Sequence, residues 1–161
     1  MKKICMLVIA LAMLALAACG GTTSTTEAGT PSAGSADSLD YEKYNIMSFE
    51  TVDMYFEYGF AHAKIKGTNN SDKALKSVSI DATFRDAEGN ALLITYPQYN
   101  APVGPGAFYI EEAMMGEDEY GFEDMVSADV PSYYIEFSEP DESGYMFFHV
   151  DTVNKTVEAI Y

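Results

Sequence analysis

Tryptophan is absent from this chain, histidine and cysteine occur only twice each, and lysine plus arginine number 9 among 161 residues. Each scarcity closes a class of chemistry. Cys5 lies inside the N-terminal apolar run and Cys19 at its end, so a chain processed there keeps no free thiol. Disulfide cross-links, thiol catalysis and cysteine-ligated zinc are thereby excluded. His62 and His149 sit on separate strand-like segments, where they read as two unrelated polar-face side chains. The missing indole removes the preferred platform for stacking a sugar ring, although Tyr133, Tyr134 and Tyr145 are available as substitutes. The 25 acidic residues set the formal net charge at −16, which repels nucleic acid and bare anionic headgroups. Nor is there a Gly-x-Ser-x-Gly elbow, a His-Glu-x-x-His helix or a phosphate-cradling glycine loop.

What the chain has in excess begins at its N-terminus. Lys2 and Lys3 precede an apolar run from Ile4 to Ala15, and Leu16-Ala17-Ala18 supplies small residues before Cys19. That order of positive, apolar and small segments predicts a secretory signal over residues 1–18. The run is shorter than the roughly 20 residues that cross a bilayer. Leu16-Ala17-Ala18-Cys19 resembles the bacterial lipobox, which implies that the Cys19 thiol takes a diacylglycerol and becomes the first residue of the mature protein. Two acyl chains hold a protein on a membrane where one gives only marginal binding. Loss of Lys2 and Lys3 with the signal would take the formal net charge from −16 to −18.

Residues 19–40 comprise Cys19 and a Gly/Ser/Thr-rich stretch, GGTTSTTEAGTPSAGSADS over 20–38, with no aromatic side chain. Such a segment cannot bury enough apolar surface to fold and predicts a flexible tether. All 12 tyrosines and all 9 phenylalanines lie from Tyr41 onward. Residues 41–161 are therefore predicted as one domain, a length that can enclose a core without disulfides.

Inside that domain the period is two. Val78, Ile80, Ala82 and Phe84 alternate with Ser77, Ser79, Asp81, Thr83 and Arg85, which predicts a strand with one buried face. Asp86-Ala87-Glu88-Gly89-Asn90 predicts a turn with Gly89 at positive φ, and ALLITY the returning strand. Upstream, Ala61, Ala63 and Ile65 alternate with His62, Lys64 and Lys66 before a turn at Asn69-Asn70-Ser71-Asp72. Downstream, Val103-Gly104-Pro105-Gly106 interrupts the chain before AFYIEEAMM, YYIEFSEPDESGYMFFHV reads strand-turn-strand, and Asn154-Lys155 divides a last hairpin. Met114 and Met115, being adjacent, point opposite ways and read as core filler. The total of about seven short strands with regular turns predicts an all-β, antiparallel immunoglobulin-like β-sandwich.

The stretch from Ala63 to Glu112 is similar to the FxLYD-type and telokin-like immunoglobulin-like domains of bacterial surface lipoproteins. Gly67-Thr68-Asn69-Asn70, Asp86-Ala87-Glu88-Gly89 and Pro105-Gly106 stand where those families carry their Gly-x-x-Asn, Asp-x-x-Gly and Pro-Gly turns. The resemblance implies a surface-located sandwich; it implies no activity, because one fold hosts many functions.

These features lead to the expectation of a lipid-anchored, extracytoplasmic, non-catalytic binding module whose partner is an envelope protein or ligand. Two other readings compete. An envelope enzyme would use paired carboxylates, for example Glu111 with Glu136, at a separation suited to glycoside hydrolysis. A sensor would take a ligand in an apolar cavity inside the sandwich, or a cation at residues 116–124, where Glu117, Asp118, Glu119, Glu123 and Asp124 crowd together with Gly116 and Gly121 and offer calcium the hard oxygen ligands it takes. The first reading of the same run is a solvated acidic face, because charge runs are usually solvated. Residues 111–161 carry 14 carboxylates against Lys155 alone, which also suits a cationic protein partner.

The anchor generates the first prediction. Cys19→Ser should abolish lipidation, so that the variant leaves the detergent phase on phase partitioning; membrane retention of a normally processed Cys19→Ser chain would refute it.

Overall fold

The computed structural model describes residues 39–160. The signal segment, Cys19 and the tether to residue 38 lie outside them. Leu39 packs against the core and Asp40 caps a helix.

The described residues form an antiparallel β-sandwich of nine strands rather than about seven. A one-turn helix, α1 (Tyr41–Tyr44), precedes β1 (Met47–Glu57), β2 (Phe60–Asn69), β3 (Leu75–Arg85), β4 (Ala91–Thr95) and β5 (Gln98–Tyr99). Then come β6 (Phe108–Gly116), β7 (Ser127–Phe137), β8 (Phe147–Asp151) and β9 (Thr156–Ala159). One sheet runs β1-β2-β6 and the other β4-β3-β7-β8-β9, with β5 also paired to β3. Neither the two-residue β5 nor the separation of β1 from β2 is carried by alternation, which accounts for the higher count.

Alternation sets the core. Ala61, Ala63 and Ile65 of β2 point inward with Tyr109, Ala113 and Met115 of β6, opposite Val78, Ile80, Ala82 and Phe84 of β3 and Tyr133, Ile135 and Phe148 of β7 and β8. Only Met115 of the methionine pair is core; Met114 faces outward and is half exposed. Aromatic contacts cross between the sheets, Phe49 to Tyr133 at 5.1 Å and Tyr99 to Tyr109 at 4.5 Å. Gly67 is required beneath Tyr109, since a Cβ there would stand 2.6 Å from the ring.

The turns carry the polar ties. Asn69 is fully buried; its amide donates to the carbonyls of Lys73 and Val103, and its Oδ1 accepts from the backbone N–H and hydroxyl of Ser71. Gly89 takes φ +85° with open space around it, in a turn closed by its N–H to Asp86 O at 3.1 Å. Helix α1 docks through Tyr44, which stacks on Phe148 at 4.4 Å and donates its hydroxyl to Asp141. Ser143 donates to the same carboxylate from its N–H and its hydroxyl. Burial alone would raise the Asp141 pKa. The hydrogen bonds from Ser143 and Tyr44, with Lys43 3.5 Å away, outweigh it and hold the group at about 2.

Two stability predictions follow from these ties. Gly89→Val should cost about 1–2 kcal/mol from backbone strain alone, read as a lower midpoint in urea. Asp141→Asn should cost about 1–3 kcal/mol at neutral pH, where it removes charged hydrogen bonds. A carboxyl depressed in the fold contributes stability above its unfolded pKa and loses it as pH falls through its folded one. The gap between wild type and Asp141→Asn should therefore shrink from about pH 4 toward pH 2, and a gap constant across that range would contradict the assignment.

Candidate functional site

Strand direction delivers three connections to one end of the sandwich. The β1–β2 turn, the β3–β4 turn and the β6–β7 loop meet there: the N–H of Glu117 donates to Gly59 O at 2.8 Å, and that of Val126 to Arg85 O at 2.9 Å. Within the loop, Phe122–Asp124 forms a 3-10 turn after Gly121, whose φ is +83° and whose α-carbon leaves no room for a side chain beside Leu92.

This end exposes aromatic surface. Tyr58 and Tyr120 are 90% and 91% exposed, Phe56 65%, Phe60 45% and Val126 58%. Phe56 meets Phe122 edge-on at 5.7 Å, tying the hairpin to the loop. The β1–β2 connection is a two-residue hairpin in which both Tyr58 (φ +52°) and Gly59 (φ +82°) have positive φ. That is the signature of a type I′ turn, which prefers asparagine or aspartate first. A tyrosine there is held against its own backbone preference.

The same end is acidic. Glu117, Asp118, Glu119, Glu123 and Asp124 are all exposed along the loop, and Glu57, Asp86 and Glu88 stand on the two neighbouring turns. The cation beside them, Arg85, is occupied: its Nε lies 2.9 Å from both oxygens of Asp129 and its Nη1 donates to Gly89 O at 3.1 Å. The five loop carboxylates are not drawn together as calcium ligands would be. Among the described residues no group of three or more His, Cys, Asp or Glu side chains could hold a metal ion.

The other sequence candidates are dispersed. Glu111 belongs to β6 in one sheet and Glu136 to β7 in the other. Lys76 donates to Glu136 at 2.7 Å, which lowers its pKa, and Ser77 adds a bond at 3.0 Å. No acid–base pair is assembled from them. His62 stacks on Tyr55 at 4.6 Å in the first sheet, and His149 on Tyr134 at 4.5 Å in the second. Around His62, the Tyr55 hydroxyl donates to Glu112 Oε1 at 2.5 Å and is pushed up to about 12 by that bond. Glu112 is lowered by the same bond, and its Oε2 lies 3.5 Å from His62 Nδ1. Lys64 covers the Tyr55 ring at 4.7 Å and pairs with Asp53 at 3.6 Å. These groups cluster on the outer face of the sheet, with His62 Nδ1 buried and without a hydrogen-bond partner. A groove of about 460 Å³ beside β1, lined by Thr51, Val52, Asp53, Met54, Ser127 and Ala128, holds one carboxylate and no histidine. Among the described residues no helix is long and apolar enough to cross a membrane.

Among solved structures the chain is similar to IrmA from Escherichia coli, with 12% identity over 56% of this chain and 76% of that one, at a TM-score of 0.45. It is also similar to a DUF1425 family member from Shewanella sp. pv-4, with 14% identity, the same coverages and a TM-score of 0.38. No protein-family model and no curated protein matches the sequence.

The strained turn generates a prediction of unusual sign. Tyr58→Asn should raise stability by about 0.5–1 kcal/mol, because asparagine accepts positive φ and a tyrosine 90% exposed loses no packing. A lower urea midpoint for Tyr58→Asn would show that the ring contributes to the fold.

Proposed function

We propose that this protein is a lipid-anchored, non-catalytic binding module of the bacterial cell envelope, held by diacylglycerol on Cys19 and meeting its partner through the three-loop end of the sandwich. The observation that carries the reading is the pair Tyr58 and Tyr120, the one at 90% and the other at 91% exposure on the same end, beside the exposed Phe56 and Phe60. Tyrosine is enriched at protein interfaces because its ring offers rigid contact area and its hydroxyl a hydrogen bond. Exposed apolar patches rimmed by polar groups mark interaction surfaces. Binding residues are commonly placed on loops held by a rigid scaffold, and here a tyrosine 90% exposed occupies a type I′ position that its backbone preference disfavours. A tether of the length of residues 20–38 would hold the domain roughly 25 Å from the bilayer on average, with its loops free to meet a neighbour. The reading rests on the exposed surface alone.

Photo-crosslinking in intact cells tests it. A crosslinking residue in place of Tyr120 should give a discrete membrane-associated adduct, and the same residue in place of Glu139, at the far end of the sandwich, should give none. Adducts from Glu139 alone would place the contact elsewhere.

A further inference from the structure

We infer that the partner presents an arginine-rich, basic protein segment to the three-loop end. The inference rests on that end being the contact surface, and it specifies the chemistry that surface selects. From Asp86 to Asn154 the sequence contains no lysine or arginine, and among the described residues the ion pairs, Lys43 with Asp141 and Glu142, His62 with Glu112, Lys64 with Asp53, Lys76 with Glu136 and Arg85 with Asp129, take in none of the carboxylates of this loop or of the adjoining turns. Arg85 is already committed to Asp129 and the Gly89 carbonyl. Uncompensated negative charge of this kind repels a second copy, nucleic acid and acidic proteins, and draws cations.

Which cation is decided by the aromatic side chains. Acid and ring alternate at both turns, as Glu57-Tyr58 and as Glu119-Tyr120 followed by Phe122-Glu123. A metal ion gains nothing from rings, and the carboxylates do not converge on one point. An ammonium is a strongly hydrated point charge. A guanidinium is planar and weakly hydrated, so it stacks on a tyrosine while its edge pairs with a neighbouring carboxylate. Exposed ring beside exposed acid is a surface suited to arginine in preference to lysine, presented by a polypeptide because the patch spans three loops.

The test uses the mature lipoprotein in detergent, titrated with fluorescently labelled oligo-arginine and oligo-lysine peptides of equal length. Oligo-arginine should bind more tightly, and its affinity should fall as salt rises. Tyr58→Ala with Tyr120→Ala should weaken it about 5- to 30-fold, the product of two exposed cation–π contacts. Glu119→Lys with Glu123→Lys should weaken it further than Asp72→Lys with Glu139→Lys, which makes the same change of net charge at the opposite end. Equal affinity for the two peptides, or equal loss from the two charge-reversed pairs, would overturn the inference. Tyr120 crosslinking that persists in cells after such a result would leave the contact surface standing and its proposed partner chemistry refuted. Unaltered circular dichroism and melting of each variant separate lost binding from lost folding.

Discussion

One interior filled from two unequal faces is the constraint on which the rest of this protein depends. The three-stranded sheet contributes mainly small inward groups, Ala61, Ala63, Ala113 and Gly67, beside the larger Ile65, Tyr109 and Met115, and the larger sheet answers with Phe84, Tyr133, Ile80 and Phe148. Interiors pack to crystal-like density, so small residues on one side demand large ones on the other. Because a strand slipped by one residue would turn its whole inward set to solvent, this complementarity fixes register. Register in turn fixes where the strands end: β1, β3 and β6 all finish at the same end of the sandwich, and the acidic, aromatic loops gather there as a consequence.

Much of that arrangement is written locally. Strand β3 is legible from its alternation, the Asp86–Asn90 turn from its aspartate and glycine, and the last hairpin from Asn154-Lys155, where Lys155 takes φ +54°. What is not legible has physical reasons. Ser77 and Thr83 are 7% and 1% exposed although alternation assigns them to the polar face of β3; each adjoins a register shift in the β3–β7 pairing, which alternation does not reveal. Helix α1 is four residues long, below the span over which a 3.6-residue period shows, and its anchor Asp141 lies almost a hundred positions away. The β1–β2 turn escapes because Tyr58 replaces the asparagine that announces such turns.

The candidate site divides in the same way. Its carboxylates are visible as a run in the sequence, and their density suggests a cation site. In the fold they spread along an exposed loop without converging. The aromatic half is invisible in the sequence, since Tyr58 and Tyr120 belong to distant segments brought together by the β2–β6 pairing, by the bond from the Glu117 N–H to the Gly59 carbonyl and by the Phe56–Phe122 contact. Charge could be read from composition, whereas the surface that gives it a use could not.

That bond makes the central claim, a preformed three-loop surface, directly measurable. In the free protein, amide hydrogen exchange followed residue by residue should show the N–H groups of Glu117 and Val126, bonded to Gly59 O at 2.8 Å and Arg85 O at 2.9 Å, exchanging well slower than those of Asp118 and Tyr120. Protection reports local opening free energy. Slow exchange at the two bonded positions is the result predicted here, and one common fast rate across all four amides would contradict it.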